Sequence, residues 1–472
     1  MITFKKSTMF KNIFPYTLQL QILQLDEYSV GKFLHWIFSH FFTLTIENKK
    51  PIVWTQKAKT IYYLSLLLAF TLIILVTVKF GILGLIIGLI LASQAYLFLI
   101  LAYYLLLPFD RYKKNKIKKE TEVKITSFSK LKVIGVTGSY GKTSVKEFLY
   151  QILRLEHTVL KTPESYNTPY GIAKVVDLEL DESYEYFICE MGAYRVGEIK
   201  EICDMVHPQY GILTGINEQH LETFGSIENT VKGKFELIDA LPKDGFGIVN
   251  IQSDPVQKEY PNHNKNNNIF PYGYRNEGYS FNEEGTRFDL RLDNEKYHAK
   301  TKLLGFANIQ NIIAAATMAH KLGMKSQIII KAIENLKPVP HRMEFKSLDT
   351  MTIIDDAYNS NYDGFKNAIE VLGSYQLPHS NPKILVTPGI VDLGNETLRI
   401  HEDLGKWISK ISTIDYVILI GKSDRTKGLK EGITDKKKII EVASLTEAWK
   451  KIAELNLKRP VVLLENDLPD NY

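Results

Sequence analysis

Residues 131–144, LKVIGVTGSYGKTS, leave this chain little freedom in how it folds around them. Leu131 to Val136 is an apolar run of β type, and the glycines at 138 and 141 end it. Lys142-Thr143-Ser144 then opens a helix whose apolar positions include Val145, Phe148, Leu149 and Ile152. A strand, a glycine loop and a helix in that order predict an α/β layer architecture. Backbone N–H groups at the helix N-terminus, together with its dipole, favour phosphate. Lys142 adds a point charge, and the Thr143 hydroxyl suits Mg²⁺. Gly138, Ser139, Gly141, Lys142, Thr143 and Ser144 are therefore the expected nucleotide-binding residues. The match to GxxxxGK[ST] departs at one place, where Val136 stands for the first glycine. The loop alone points to a nucleotide and says nothing about the reaction.

Further predicted strands end in polar residues, as open α/β sheets do where they bind ligands. YFICEMG delivers Glu190, YGILTGINEQH delivers Asn217 and His220, and GFGIVNIQSD delivers Asn250 and Asp254. Each alone reads as an ordinary satisfied polar group. Three such ends beside one phosphate loop point to a shared metal–nucleotide site. Later runs MTIIDDAY, PKILVTPGI, DYVILIG and RPVVLLE alternate with helix-length segments, which predicts a second, smaller Rossmann-like domain. NHNKNNN (262–268) reads as an exposed loop.

The front of the chain is different. Ile61–Val78 is an apolar run, and Gly81–Leu107 follows without a single charge, so a two-helix transmembrane hairpin turning at Lys79–Gly81 is expected. Phe33–Ile46 is aromatic but too short to span; an interfacial helix is expected, with a packed cap on the hairpin as the alternative. Residues 1–132 hold 18 Lys+Arg against 6 Asp+Glu, while the remainder holds 40 against 47. The acidic body argues against nucleic acid as a partner. Lysines before the first run and the cluster Arg111–Lys119 after the second predict both ends on the cytoplasmic side. The expected localisation is thus the cytoplasmic membrane, multi-pass, with the catalytic domains against its inner face. The expected layout is an interfacial segment 1–58, the hairpin 59–108, a basic linker 109–130, an ATP-binding domain 131–340 and a C-terminal domain 341–472. Two cysteines, Cys189 and Cys203, both in apolar runs, exclude a disulfide scaffold or a four-cysteine zinc module.

From residue 131 onward the chain resembles a known family. TGSYGKTS, SYNTPYG (165–171), EMGAYRVGEI (190–199), GINEQHLETFGS (215–226), KGKFE (232–236), GFANIQNIIAA (305–315), HRMEF (341–345) and DDAYNSN (355–361) look like the motifs of the Mur ligases, in the family's order. The resemblance is strongest to members that add D-alanyl-D-alanine in peptidoglycan precursor synthesis. It implies a P-loop central domain and a Rossmann-like C-terminal domain, with ATP and Mg²⁺ as cofactors. It also implies a cell-wall precursor and an amino acid or dipeptide as substrates, other cell-wall enzymes being possible partners. Carried over residue by residue, it gives Lys142, Lys234, His220 and Arg342 catalytic roles. Lys234 falls on the lysine the family carbamylates. Thr143, Glu190 and His220 would hold metal, Asn308 and Asn311 would lie on the adenine side, and Arg342 and Asp356 would reach the nucleotide. Asn167, Tyr358, Asn359 and Asn361 would meet substrate.

The chemistry implied is amide-bond formation through an acyl phosphate, with ATP converted to ADP and phosphate. The sequence departs from the family at Ala307 (usually His), Tyr362 (often Pro), Tyr194 and Arg195 (usually Asn-His), Asp392 (usually Glu) and the final VVLLENDLPDNY. The apolar hairpin also stands where the family has a uridine-binding domain. Three other readings remain open: a membrane-linked amide ligase for another polymer such as poly-γ-glutamate, an amidating ligase for lipid-linked peptidoglycan precursors, and a non-catalytic ATP-binding scaffold.

Overall fold

The computed structural model describes residues 14–26, 28–39, 51–164, 166–217, 221–264, 268–273, 279–282, 285–293, 295–358, 361–375, 381–391, 393–434 and 438–466. The chain forms two compact units, residues 1–116 with 468–472, and residues 117–467.

In the first unit the helix Gln56–Ala92 is broken at Gly81, which adopts φ 61° and ψ −138°. A side chain rarely takes that conformation, and glycine does so freely. The chain reverses there, as the sequence predicts. A Cβ on Gly84 would lie 2.1 Å from the Val76 carbonyl oxygen, and one on Gly88 would lie 2.9 Å from Ile73 Cα. Small residues thus let the two helical arms touch backbone to backbone. The second apolar run is not one helix. It breaks at Ser93–Gln94, and Tyr16 Oη donates to the Ala92 carbonyl at 2.9 Å. The helix Val30–Ser39 buries Phe33 and Ile37 in the same cluster as Ile61 and Leu99, the packing that a cap on the hairpin requires. Gln24 clamps Val53 with both amide atoms, at 2.8 and 2.9 Å. Gln56–Ala92 and Ala95–Ser127 are long and apolar enough to cross a membrane by length and composition.

The expected basic linker is helical through Ser127. Within the second unit, Thr121 and Ile125, four residues apart on one helix face, are buried. Lys124 Nζ donates to the Asp177 carbonyl at 2.9 Å, Lys118 pairs with Glu201 at 3.1 Å and His207 meets Glu122 at 3.0 Å. Residues 117–127 are therefore fixed to the α/β body.

The body holds two six-stranded sheets. The first has the order β2-β3-β1-β4-β5-β6. Its strands are β1 (Lys132–Thr137), β2 (Val159–Lys161), β3 (Tyr186–Glu190), β4 (Tyr210–Leu213), β5 (Phe246–Asn250) and β6 (Ile269–Tyr272). All pairs are parallel. Alternation along β1 sends Ile134 and Val136 to a core with Phe148, Leu149 and Ile309, and Val133 to the opposite core with Ile172 and Ile202. An antiparallel sheet β7-β8-β9 follows: β7 (Ser280–Asn282), β8 (Gly285–Leu292) and β9 (Glu295–Thr301).

The second large sheet has the order β10-β11-β15-β12-β13-β14. It comprises β10 (Glu344–Ser347), β11 (Thr352–Asp356), β12 (Lys383–Thr387), β13 (Tyr416–Ile420), β14 (Ile439–Val442) and β15 (Val461–Glu465), with only β10 antiparallel. The four strands expected here are present, and β10 and β14 add to them. Leu304 and Met343 are buried in this domain's core with Phe365 and Leu463, which fastens the loop before the helix Phe306–Lys321 to the second sheet.

Candidate active site

Strand order reverses at β1, whose neighbours β3 and β4 carry chain to opposite sides of the sheet. Ligands of open α/β sheets bind at the carboxyl ends beside such a switch point, and the glycine loop sits there. Gly138 (φ 146°) and Gly141 (φ 80°) hold conformations that side chains rarely adopt. A Cβ on Gly138 would lie 2.0 Å from Thr214 Oγ1, and one on Gly141 would lie 2.5 Å from Asn311 Oδ1. The loop is thereby locked onto the end of β4. Ser139 N–H donates to the Gly215 carbonyl at 2.6 Å, and the Thr214 hydroxyl donates to the Tyr140 carbonyl. Lys142 curls back over the loop, donating to the carbonyls of Gly138 (2.8 Å) and Ser139 (3.1 Å). Thr143 and Ser144 occupy the first turn of the helix Lys142–Leu153.

Glu190 ends β3 and is buried. Its Oε1 accepts from Asn167 Nδ2 at 3.2 Å, and its backbone N–H donates to the Thr162 hydroxyl at 3.0 Å. Its Oε2 lies 3.1 Å from Nζ of Lys146, a residue the sequence reading passed over. Lys146 is 0% exposed and also donates to the Glu164 carbonyl at 2.6 Å. One ammonium thus ties the phosphate-loop helix to the strand carrying Glu190 and to the loop carrying Asn167. The available signal was a charge among Val145, Phe148, Leu149 and Ile152, one turn after Lys142.

Lys234, 2% exposed on the helix Ile227–Asp239, donates to the Ala193 carbonyl at 3.2 Å. Burial, and then the charge of Lys142, pull its ammonium down to about 7, against the opposing pull of Glu198 and Glu236. Glu236 itself accepts from the Gly197 and Lys200 N–H groups and so caps the helix Glu198–Val206. Lys142 is lowered to about 8 by burial and by Arg342, with Glu190 acting the other way. These mutual influences put Lys142, Lys234, Glu190 and Arg342 in one electrostatic neighbourhood.

Arg342 comes from the second domain and stacks over the Tyr358 ring at 4.1 Å. Asp356 ends β11, accepts from Met343 N–H at 3.1 Å, and is raised to about 6 by burial, with Arg342 pulling it down. A cavity of about 790 Å³ opens between the strand ends of the two sheets. Of the expected residues, Gly141, Ser144, Asn308, Asn311, Arg342, Asp356 and Asn361 line it. Gly138, Ser139, Lys142, Thr143, Asn167, Glu190, Lys234 and Tyr358 are not part of its wall.

Three expectations shift on inspection. Asn308 Nδ2 donates to the Leu304 carbonyl at 2.8 Å, so that side chain is occupied within its own helix turn. Asn361 caps the helix Tyr362–Ser374 by accepting from Gly364 N–H at 2.9 Å while lining the cavity. Tyr358 supports Arg342, a contact the sequence did not predict. His220 and Asn359 lie outside the described residues. Among the described residues, one group of potential metal donors gathers elsewhere: His341, Glu344 and Asp355, within 4.8 Å of one another. Lys346 already pairs with Asp355 at 2.7 Å and Glu344 at 3.1 Å. Thr143 and Glu190, at the phosphate loop, suit a hard cation bridging to phosphate, and the left-handed glycines suit the phosphates themselves.

Two family models match the chain: the Mur ligase middle domain over residues 136–319, and the Mur ligase glutamate ligase domain over residues 341–464. Three curated relatives are UDP-N-acetylmuramoyl-tripeptide–D-alanyl-D-alanine ligases. That of Bacillus subtilis is 31% identical over 62% of this chain and 63% of its own length. That of Escherichia coli is 28% identical over 69% and 74%, and that of Buchnera aphidicola from Acyrthosiphon pisum is 30% identical over 66% and 70%. Among solved structures, MurF from Acinetobacter baumannii aligns with TM-score 0.66 at 24% identity, covering 75% of this chain and 77% of that one. MurF ligase of Thermotoga maritima in complex with ADP aligns with TM-score 0.65 at 25% identity, covering 75% and 80%. The chain spans 63% of the length of the Bacillus relative, and residues before 136 fall outside the matched domains. These relatives also correct the localisation expected from sequence. They are soluble cytoplasmic enzymes, so the multi-pass placement against the inner membrane face does not stand. Two long apolar helices are weak grounds for it, because a core helix of a soluble protein passes the same test of length and composition.

Proposed function

The chain belongs to the Mur ligase family, and from that premise we propose that it is an ATP-dependent carboxylate–amine ligase of the D-alanyl-D-alanine-adding type, acting in peptidoglycan precursor synthesis. One observation carries the reading. Gly141 and Ser144 of the phosphate loop and the Arg342–Asp356 pair from a second domain line one cavity, and the charges of Lys142 and Glu190 act on the same group of residues from behind its wall. The acceptor is a muramoyl tripeptide of the kind the relatives' names give, and the incoming amine is that of D-alanyl-D-alanine.

The acceptor's carboxylate oxygen attacks the γ-phosphorus of ATP, the bond to the β–γ bridging oxygen breaks, and an acyl phosphate and ADP result. The amine nitrogen then attacks the acyl carbon, loses a proton, and phosphate leaves with the former acyl-oxygen bond electrons. The chain's contribution is position and charge. Loop N–H groups and Lys142 hold the β- and γ-phosphate oxygens. Arg342, braced by Tyr358, meets the charge of the transferring phosphoryl group from the other side. Thr143 and Glu190 would hold Mg²⁺, which supplies neutralisation of phosphate charge when bound. Lys234, with an ammonium near 7, offers a neutral amine at physiological pH, the form that reacts with CO₂; the carbamate would present an anion beside Lys142. The C-terminal domain that begins at residue 341 would close the cavity over the ATP-binding domain and limit water.

The test is direct: incubate the protein with UDP-N-acetylmuramoyl-tripeptide, D-alanyl-D-alanine, ATP and Mg²⁺, and follow product mass and ADP. One ADP per amide formed is expected, with both products slowed by about 10²-fold or more in Lys142→Ala. ATP consumption that is independent of the dipeptide, or product formation with other amines only, overturns the assignment.

A further inference from the structure

The helix Phe306–Lys321 enters the cavity wall at its N-terminal end with three amide side chains. Asn308 donates to the Leu304 carbonyl at 2.8 Å, and Asn311 lies close against the backbone of Gly141 in the phosphate loop. The third, Gln310, is different. It lines the cavity and is only 8% exposed, and among the described residues neither Nε2 nor Oε1 has a hydrogen-bond partner.

A buried, unpaired amide is costly, since each unmet donor or acceptor forfeits its bonds to water on folding. An apolar side chain of similar size, such as leucine, would fit this helix without that penalty. A glutamine in this position is understandable where a ligand meets both atoms. A primary amide presents one donor and one acceptor side by side in a plane. That pattern is complementary to adenine, whose 6-amino group donates and whose neighbouring ring nitrogen accepts. Tyr140, Asn250 and Phe306 share the cavity wall with Gln310, giving flat and polar surfaces of the kind a purine ring occupies.

We infer that Gln310 is the residue that reads the base of the nucleotide, pairing with the amino edge of adenine and so selecting ATP. This rests on the nucleotide-binding reading above and goes beyond it by naming the base-specifying group. Phosphate affinity belongs to the loop at 138–144, so the two contributions separate experimentally.

The experiment measures binding of ADP and of purine-riboside diphosphate, which lacks the 6-amino group, to the full-length protein and to Gln310→Leu by calorimetry. The wild type is expected to prefer ADP by roughly 10-fold or more, the scale of one bidentate amide–base pair. In Gln310→Leu that preference should disappear, with ADP falling to the affinity of the analogue and the analogue unchanged. Thermal denaturation without nucleotide gives a second readout. The variant should melt at or above the wild-type temperature, because an unmet amide has been removed. Equal discrimination in both proteins overturns the inference, as does a variant that melts well below wild type without ligand. A wild type that binds neither diphosphate overturns the nucleotide-binding reading itself, and the inference with it.

Discussion

Lys146→Met probes the site's internal architecture most sharply. Methionine keeps the length and apolar stem of lysine and removes only the ammonium. In the native protein that ammonium is wholly buried, 3.1 Å from Glu190 Oε2 and 2.6 Å from the Glu164 carbonyl. Its loss leaves the Glu190 carboxylate buried with the Asn167 amide at 3.2 Å as its neighbour. Removing one partner of a buried pair costs about 3–5 kcal/mol, whereas replacing both by neutral groups of similar volume is close to neutral. For a domain of about 200 residues each kcal/mol lowers Tm by roughly 2–4 °C, so a fall on the order of 10 °C is expected. Lys146→Met/Glu190→Gln should recover most of it. The assay is a four-protein thermal cycle followed by circular dichroism. A single variant melting within about 2 °C of wild type would refute the reasoning, since a buried carboxylate deprived of its contact ion pair cannot be that cheap. So would a double variant whose losses simply add, because independent sites add and coupled ones do not.

Three further outcomes are expected. Lys142→Ala should lower turnover by about 10²-fold or more at saturating ATP in a coupled ADP assay, because the backbone cradle persists while the charge facing the transferring phosphate is lost. Lys234, lowered to about 7 from an ordinary 10.5, is disfavoured as an ammonium in the fold; its burial costs stability increasingly as pH falls between those values, and in full below about 7. Its CO₂-reactive neutral form is lost over the same acid side, so activity should fall below pH 7 and recover partly with bicarbonate, and Lys234→Ala should be inactive yet partly rescued by short carboxylates; a pH–rate series with and without bicarbonate checks this. Gly215→Ala would set a Cβ 2.1 Å from the ζ-carbon of Tyr140, so the ring must leave its place in the cavity wall at a cost of about 1–3 kcal/mol; weakened ADP binding is expected in calorimetry, and unchanged ADP affinity would count against a nucleotide role for this wall.

The parts of this protein that announce themselves in sequence are those where backbone conformation and residue type are tied together. Gly138 and Gly141 hold left-handed conformations that side chains rarely adopt, and Gly81 does the same at the helical turn, so the loop and the reversal could be placed in advance. A polar residue at the end of an apolar run likewise pointed to Glu190, since a strand in a parallel sheet exposes its polar chemistry only at its end, whereas Asp356 was indicated only by the resemblance of DDAYNSN to the family's motif. What escaped depends on three-dimensional partners. Lys146 looks like any charge on a helix until the strand carrying Glu190 is set beside it. Asn308 and Asn361 are indistinguishable in sequence from ligand-binding amides, yet both serve local backbone groups. The stretch after Leu107 was read as a linker from its charge, although Ile117, Thr121 and Ile125 already repeat at the spacing of one helix face.

The distribution of charge around the cavity also separates the possible chemistries. Lys142, Lys234 and Arg342 depress or repel one another: Arg342 lowers Lys142, and Lys142 lowers Lys234. Glu190 offsets part of this, but it is shared with Lys146, while Asp356 is pushed toward its neutral form by burial. A site built only to hold divalent cations would show the opposite balance, with carboxylates crowding and raising one another. Surplus positive charge, held at fixed places by a locked loop on one sheet and a braced arginine on the other, is instead matched to a polyphosphate. It is matched best when that polyphosphate gains charge at its terminal oxygens as a bond breaks. Because the two halves of this surplus come from different sheets, the full field exists only when both domains face the same ligand. That requirement is in keeping with the proposed phosphoryl transfer between bound partners, in which both domains face the same nucleotide.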